Sequence, residues 1–200
     1  MPDIVRTFIA VEIPPEVKER AKQLIGRLSA TPAKVKWVGL EAMHWTLKFL
    51  GDVEMIEVPA ICQAVERAVA PFAPFDVEAR GAGAFPDARR PRTVWVGMGQ
   101  GTNEMIALHE AIERELATLG YREEGRRFRP HLTIGRVRNS PEGVGELGGL
   151  VAASADFESG LSTVYEVVIF SSQLGPKGPT HEPLGHAELR GRGQGLGVGD

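Results

Sequence analysis

The sequence predicts a mixed chain of strands and helices, built twice from one strand–helix–strand unit whose copies face each other across a cleft. Three observations predict it. "HWTL" (His44 to Leu47) and "HLTI" (His131 to Ile134) repeat one frame 87 residues apart. Upstream of each, the order of elements is the same. The composition, 42% hydrophobic and 24% charged over 200 residues, is that of a soluble globule with material for one domain or two small lobes sharing a core.

The elements follow in order. "RTFIAVEI" (Arg6 to Ile13) is rich in strand formers and is stopped by Pro14 and Pro15. Pro15 opens a helix, where its missing N–H costs little, and Val17, Ala21, Leu24, Ile25 and Leu28 give it an apolar stripe to about Ser29. "VKWV" (Val35 to Val38) is a short strand, and "HWTLKFLG" is the next, ended by Gly51. Pro59 opens a second helix with Val58, Ile61, Cys62, Val65, Ala68 and Val69 inside. "FDVEARGAGAF" (Phe75 to Phe85) is a strand loosened by glycines, "PDARRPR" (Pro86 to Arg92) a basic loop, and "TVWVGMG" a strand. Thr102 or Asn103 caps a third helix with Met105, Leu108, Ile112, Leu116 and Leu119 inward, closed by Gly120. "HLTIGRVR" is a strand, Asn139 to Leu150 a flexible loop, and Val164 to Leu174 a buried strand. A turn and a last short strand follow. The domain is expected to end near residue 188, and the glycine-rich stretch 189–200 to be a disordered tail.

A net charge of −3 excludes a generally polycationic nucleic-acid coat but allows a local basic cleft. The single cysteine, Cys62, cannot form an intrachain disulfide and is expected to pack in its helix stripe. No stretch reads as a signal peptide or reaches the ~18–20 apolar residues of a membrane helix, so a cytoplasmic protein without a membrane partner is expected.

Strand starts Thr7 and Thr93 are 86 residues apart, the histidines 87 and the helix starts about 88. Two copies of a unit pack about a pseudo-twofold axis, which puts His44 and His131 on opposite walls of one cleft. Side chains alternate along a strand, so His44 shares a face with Thr46, and His131 with Thr133. Trp45, Leu47, Leu132 and Ile134 then fill the core.

Two imidazoles on opposite walls suit in-line displacement at phosphorus. One takes a proton from the attacking group and the other gives one to the leaving oxygen, provided their pKa values are held apart. Threonine hydroxyls can donate to the non-bridging oxygens, where charge grows. Tyr121 to Arg138 holds six arginines, Arg136 among them, the residue suited to bidentate phosphate contacts. No carboxylate cluster for magnesium accompanies the motifs, so chemistry without a metal or cofactor is expected.

The stretches "RTFIAVEIPPEVKE", "VKWV", "RRPR", "FRPHLTIGR" and "LGPKGPTHEPL", with the two His-x-Thr strands, resemble the RNA 2′,3′-cyclic phosphodiesterases (2′-5′ RNA ligase-like) of the 2H phosphoesterase superfamily, over roughly residues 6 to 185. The resemblance implies a bilobal α+β fold: two pseudo-twofold-related lobes of antiparallel sheet, with flanking helices, around a central cleft. It implies hydrolysis of RNA 2′,3′-cyclic phosphate termini to 2′-phosphomonoesters, and joining of RNA ends through a 2′-5′ bond in reverse. His44 is then the acid that protonates the departing O3′ and His131 the base that activates water. Thr46, Thr133 and Arg136 hold the phosphate, and Phe49 stacks on the terminal base. The implied partner is RNA with 2′,3′-cyclic phosphate ends, tRNA fragments among the candidates. Duplication within the chain removes any need for a dimer, so a monomer is expected. Trp45 stands where the usual family form has Leu, at a core-facing position that leaves the chemistry untouched.

Strand alternation by itself turns Phe49 and Arg136, each five residues past a histidine, away from the histidine face. They reach the cleft only through a twist, a bulge or a strand end. Two other functions fit the same motifs: a non-catalytic binder of RNA ends, and a phosphodiesterase for a small cyclic nucleotide. An acid and a base on opposite walls are superfluous for binding alone, and the arginines favour a longer nucleic acid. His109 reads as an ordinary helix residue, His181 as a surface or loop residue, His186 is unassigned, and Trp37 and Trp95 read as core.

Overall fold

The computed structural model describes residues 3–138, 141–175 and 178–191. Of the expected tail 189–200, residues 192–200 lie outside the described residues. Nine strands are described: β1 (Ile4–Glu12), β2 (Val35–Trp37), β3 (His44–Glu54), β4 (Phe75–Phe85), β5 (Thr93–Met98), β6 (Leu132–Val137), β7 (Glu158–Val164), β8 (Glu166–Gly175) and β9 (Gly178–Glu188). Four α-helices accompany them: α1 (Pro15–Leu28), α2 (Val58–Val69), α3 (Thr102–Ala117) and α4 (Val144–Ala153).

The strands form one antiparallel sheet in the order β7-β4-β5-β6-β3-β1-β8-β9, with β2 added beside β6. The order is a palindrome of equivalents. β6 matches β3, β5 matches β1, β4 matches β8, and β7 matches β9. The pseudo-twofold axis passes between β3 and β6, where the register is the single pair Trp45 with Leu132. These are themselves repeat equivalents, so the axis runs through that pair. The architecture is α+β, with two lobes joined at this seam.

Each lobe is roofed by a helix borrowed from the other half. α1 leaves β1 but packs on β7 and α4, where the Ser159 hydroxyl donates to the Val17 carbonyl at 3.0 Å. α3 leaves β5 but packs on α2, which covers β9. The exchange interlocks the lobes, and one core runs through both, with Trp45, Leu47, Leu132 and Ile134 all at most 2% exposed.

The expected helices over Pro15, Pro59 and Thr102 form because each carries an apolar stripe of period 3.6 that the sheet buries. One expectation fails. Val144–Ala153, read as part of a flexible loop because of its glycines, is α4. Its Leu147 and Val151 are fully buried at helical spacing, and tertiary burial outweighs the poor helix propensity of Gly145, Gly148 and Gly149. Gly148 suits the site, because a Cβ there would collide with the Ala88 carbonyl oxygen. β7 has no counterpart among the expected elements, and Leu189, 5% exposed, carries the core past residue 188.

The seam yields a first prediction. Leu132→Ala removes a fully buried side chain at the axis and should destabilise the protein by about 2–5 kcal/mol in urea unfolding. A loss below about 1 kcal/mol would mean that the lobes are not held by packing there.

Candidate active site

Trp45 and Leu132 point into the core, so their neighbours point the other way. An antiparallel pair at 45 and 132 puts His44 beside Thr133 and Thr46 beside His131. All four line one cleft of about 1190 Å³.

Phe49 and Arg136 also line it. The ladder shows how. Ala10 pairs with Thr46 but Ile9 with Lys48, which leaves Leu47 as an extra residue; Trp95 pairs with Thr133 but Val94 with Gly135, which leaves Ile134 as one. Leu47 and Ile134 are repeat equivalents, as are Phe49 and Arg136. The same bulge, used once in each lobe, reverses the alternation and turns one aromatic and one guanidinium into the cleft. Phe49 is 59% exposed there, with its ring 5.9 Å from Phe8.

Each histidine has an aromatic wall behind it. His44 stacks on Phe8 at 4.7 Å and 27°, with Phe170 stacked on Phe8 in turn. Phe8, Ala10, Val168 and Phe170 form a small apolar cluster of their own on this side of the sheet. His131 meets Phe85 edge-on at 5.0 Å and 89°, and Phe85 packs on Trp95. His131 Nδ1 lies 2.7 Å from the Arg129 carbonyl, so it carries the proton and donates, leaving the Nε2 lone pair free. The Ala42 carbonyl, likewise two residues upstream, favours the charged form of His44.

Burial dominates both rings. It pushes His44 down from 6.5 to about 4, helped by His181 whenever that ring is protonated and by the Lys18 ammonium, and opposed by the Ala42 carbonyl. It pushes His131 down as well, opposed by the Arg129 carbonyl and helped by the Arg136 guanidinium. The free cleft therefore favours two neutral imidazoles.

The cleft is strongly basic. Arg126, Arg127 and Arg129 from the segment after α3, Arg90 and Arg92 from the loop after β4, and Arg6 of β1 all line the cleft. The segment after α3 is bolted down. Lys48, on the histidine strand, is 3% exposed and pairs with Glu113 of α3 at 2.5 Å. Lys48 also donates to the Arg122 carbonyl at 2.9 Å, and the Glu124 amide donates to Glu113 at 2.9 Å. One turn earlier on α3, His109 Nδ1 lies 2.9 Å from the Leu47 carbonyl, and its ring stacks on Phe128 at 4.1 Å and 11°. His109 is thus 5% exposed and a structural pin, not a plain helix residue.

Sequence reasoning brought together His44, His131, Thr46, Thr133, Arg136 and Phe49, and the structure gathers them in one cleft. It overlooked Lys48, Glu113 and Phe8. The signal for the first two was two polar residues, His109 and Glu113, one turn apart on a helix face that the stripe marks as buried. His181, expected at the surface or in a loop, sits in β9 and lines the cleft. Trp37 packs at the core edge, while the Trp95 indole N–H is buried without a partner among the described residues.

The fold thus sets a His-x-Thr at each side of the axis of a palindromic antiparallel sheet, in a cleft lined by arginines. The chain belongs to the 2′-5′ RNA ligase superfamily, whose sequence profile matches residues 13–147. It is 34% identical to an RNA 2′,3′-cyclic phosphodiesterase of Methanothermobacter thermautotrophicus over 90% of this chain and 96% of that one. It is also 34% identical to a protein of the same name from Thermotoga maritima, over 93% of this chain and 96% of the other. Among solved structures it resembles TT0787 of Thermus thermophilus, with a TM-score of 0.74 and 25% identity over 94% of this chain and 100% of that one.

The bolt yields a second prediction. Lys48→Met leaves Glu113 buried without its cation and should cost about 3–5 kcal/mol in chemical unfolding. The double variant Lys48→Met/Glu113→Leu should be more stable than that single. If the single change costs less than about 1 kcal/mol, the pair does not hold the arginine segment.

Proposed function

We propose that this protein hydrolyses RNA 2′,3′-cyclic phosphate termini to 2′-phosphomonoesters by metal-independent acid–base catalysis at His44 and His131. The observation that carries it is the juxtaposition, across a pseudo-twofold seam, of two imidazoles each backed by the other lobe's threonine. The names of the relatives support the substrate class. Among the described residues, no group of three or more His, Cys, Asp and Glu could hold a metal ion, and apart from the buried Lys48 the cations lining the cleft are arginines.

In this mechanism Thr46, Thr133 and Arg136 hold the phosphoryl oxygens. Neutral His131 accepts a proton at Nε2 from water as the water oxygen bonds to phosphorus. The bond from phosphorus to O3′ breaks, and protonated His44 delivers a proton to O3′. The product keeps the phosphate on O2′, and the two rings exchange protons with solvent before the next turnover. A 5′-hydroxyl in place of water gives a 2′-5′ bond, so ligation uses the same groups. Phe49, exposed at the rim, offers a face for the terminal base. The duplicated unit completes the site within one chain, which fits a monomer. Among the described residues no helix is long and apolar enough to cross a membrane. tRNA fragments fit the substrate chemistry, and a cytoplasmic location fits such substrates.

Protonated His44 is disfavoured in the empty cleft, where its pKa is about 4. The anionic phosphate supplies the missing counter-charge and raises both imidazoles.

The test is to incubate an RNA ending in a 2′,3′-cyclic phosphate with the protein in EDTA and compare the product with 2′- and 3′-phosphate standards. Conversion to the 2′-phosphate is expected, with His44→Ala and His131→Ala each about 10²–10⁴-fold slower and still folded. Loss of activity in EDTA with recovery on adding a divalent ion would overturn the metal-free step. Tight binding without conversion would make the chain an RNA-end binder.

The pH profile supplies a further check. The rate falls at low pH as the base protonates and at high pH as the acid loses its proton. Both free-enzyme values lie below 6.5, so the bell in kcat/KM should peak on the acid side of pH 6.5. In kcat, which reports the complex, the peak should move toward neutrality. A kcat/KM optimum above pH 7 would contradict the burial account.

A further inference from the structure

Besides the exchange of Phe49 for Arg136, the two lobes differ in one further group at the cleft. His181 stands on β9, in register with Ser172 of β8, and both line the cleft. Its equivalent strand in the other lobe, β7, reads "ESGLSTV" and offers no imidazole. The third ring lies 5.3 Å from His44 at 83° and 4.8 Å from Phe8 at 76°, so it closes the corner in which His44 sits. Beyond it lies a recess of about 310 Å³, which His181 and His44 share with Glu12, Lys18 and Glu41.

The hydrogen bonding of this ring is one-sided. Nδ1 is buried and has no partner among the described residues. An imidazolium would need acceptors for both N–H groups, and the Nδ1–H tautomer would bury an orphan donor, a rare and costly arrangement. The Nε2–H tautomer leaves only a bare lone pair at the buried nitrogen and puts the proton at the ring's other edge. Burial likewise pushes the ring below its ordinary pKa, toward the neutral form.

We propose that His181 is a substrate-contacting residue of this cleft, a neutral imidazole whose Nε2–H donates to a phosphoryl oxygen on the His44 side. This rests on the phosphodiesterase reading above, and it assigns the pseudo-symmetric site a handedness. The His44 wall holds an extra neutral donor close to the ring that must be protonated, and the His131 wall does not. A neutral donor serves better here than a cation, because a positive charge at 5.3 Å would oppose the proton on His44.

The experiment compares wild type with His181→Phe, which keeps a flat ring and removes the donor, and with His181→Gln, which restores an N–H. Inorganic phosphate is titrated calorimetrically against each, and turnover of the cyclic-phosphate RNA is followed across pH. The expected result is phosphate binding about tenfold weaker in His181→Phe, with a loss of about 10- to 100-fold in kcat/KM. His181→Gln should recover most of both, with the bell-shaped profile at its wild-type position. Nitrogen NMR of wild type at pH 7 should show the His181 ring as the Nε2–H tautomer, a readout that does not depend on how the variants fold. Phosphate binding and turnover unchanged in His181→Phe would overturn the proposal. So would an Nδ1–H or doubly protonated ring, or a bell displaced to higher pH in both variants, which would mean that His181 acts on His44 by charge. If wild type fails to hydrolyse the RNA while His181→Phe still weakens phosphate binding, the donor stands and the phosphodiesterase reading falls.

Discussion

The pairing of Trp45 with Leu132 is the constraint on which the rest depends. It is a contact between two copies of one position, so it can only lie on the pseudo-twofold axis. Once it is buried, everything one residue away is fixed on the opposite face. His44 is brought beside Thr133 and Thr46 beside His131 without any side chain having to be steered separately. On the proposed mechanism, a site that acts on both sides of one phosphorus atom is thereby built by a backbone register and a hydrophobic pair. The crossed packing of α1 and α3 supports it, since each lobe's roof is tied covalently to the other lobe.

The bulges extend the same economy. A regular strand would have left Phe49 and Arg136 outside. One extra residue in each lobe, Leu47 and Ile134, keeps its own side chain in the core and turns the residue two places later into the cleft. Because the two bulges are equivalent and the residues they deliver are not, symmetry of backbone becomes asymmetry of function. In the proposed function Phe49 offers a surface for a base and Arg136 a charge for a phosphate. The aromatic walls behind the histidines have a parallel role. They bury both rings, which favours the neutral imidazoles in the free site; on the proposed mechanism the anionic phosphate draws the needed proton in.

Much of this was legible in the sequence. The repeat spacing of His44 and His131, the alternation that separates Thr46 from Trp45, and the apolar stripes of α1, α2 and α3 all follow from period and position alone. The bulges were not legible, because Leu47 and Ile134 are ordinary core residues whose extra status exists only relative to the partner strands. α4 was hidden by its glycines, which lower local helix propensity while the burial of Leu147 and Val151 restores the helix. The bolt of Lys48 and Glu113 joins residues 65 apart, so the helix stripe can mark Glu113 as buried but not name its partner. His181 was hidden for the same reason. Its segment is turn-like in composition, and only the pairing of β9 with β8 carries it to His44.

The central claim is that acid and base act from opposite walls in a single displacement. The most direct test is stereochemical. A single diastereomer of an RNA 2′,3′-cyclic phosphorothioate, hydrolysed in ¹⁸O-labelled water, yields a 2′-phosphorothioate whose configuration at phosphorus can be determined. The account predicts inversion. Retention would require two displacements, with a covalent intermediate on one of the histidines, and would contradict the division of labour between His44 and His131.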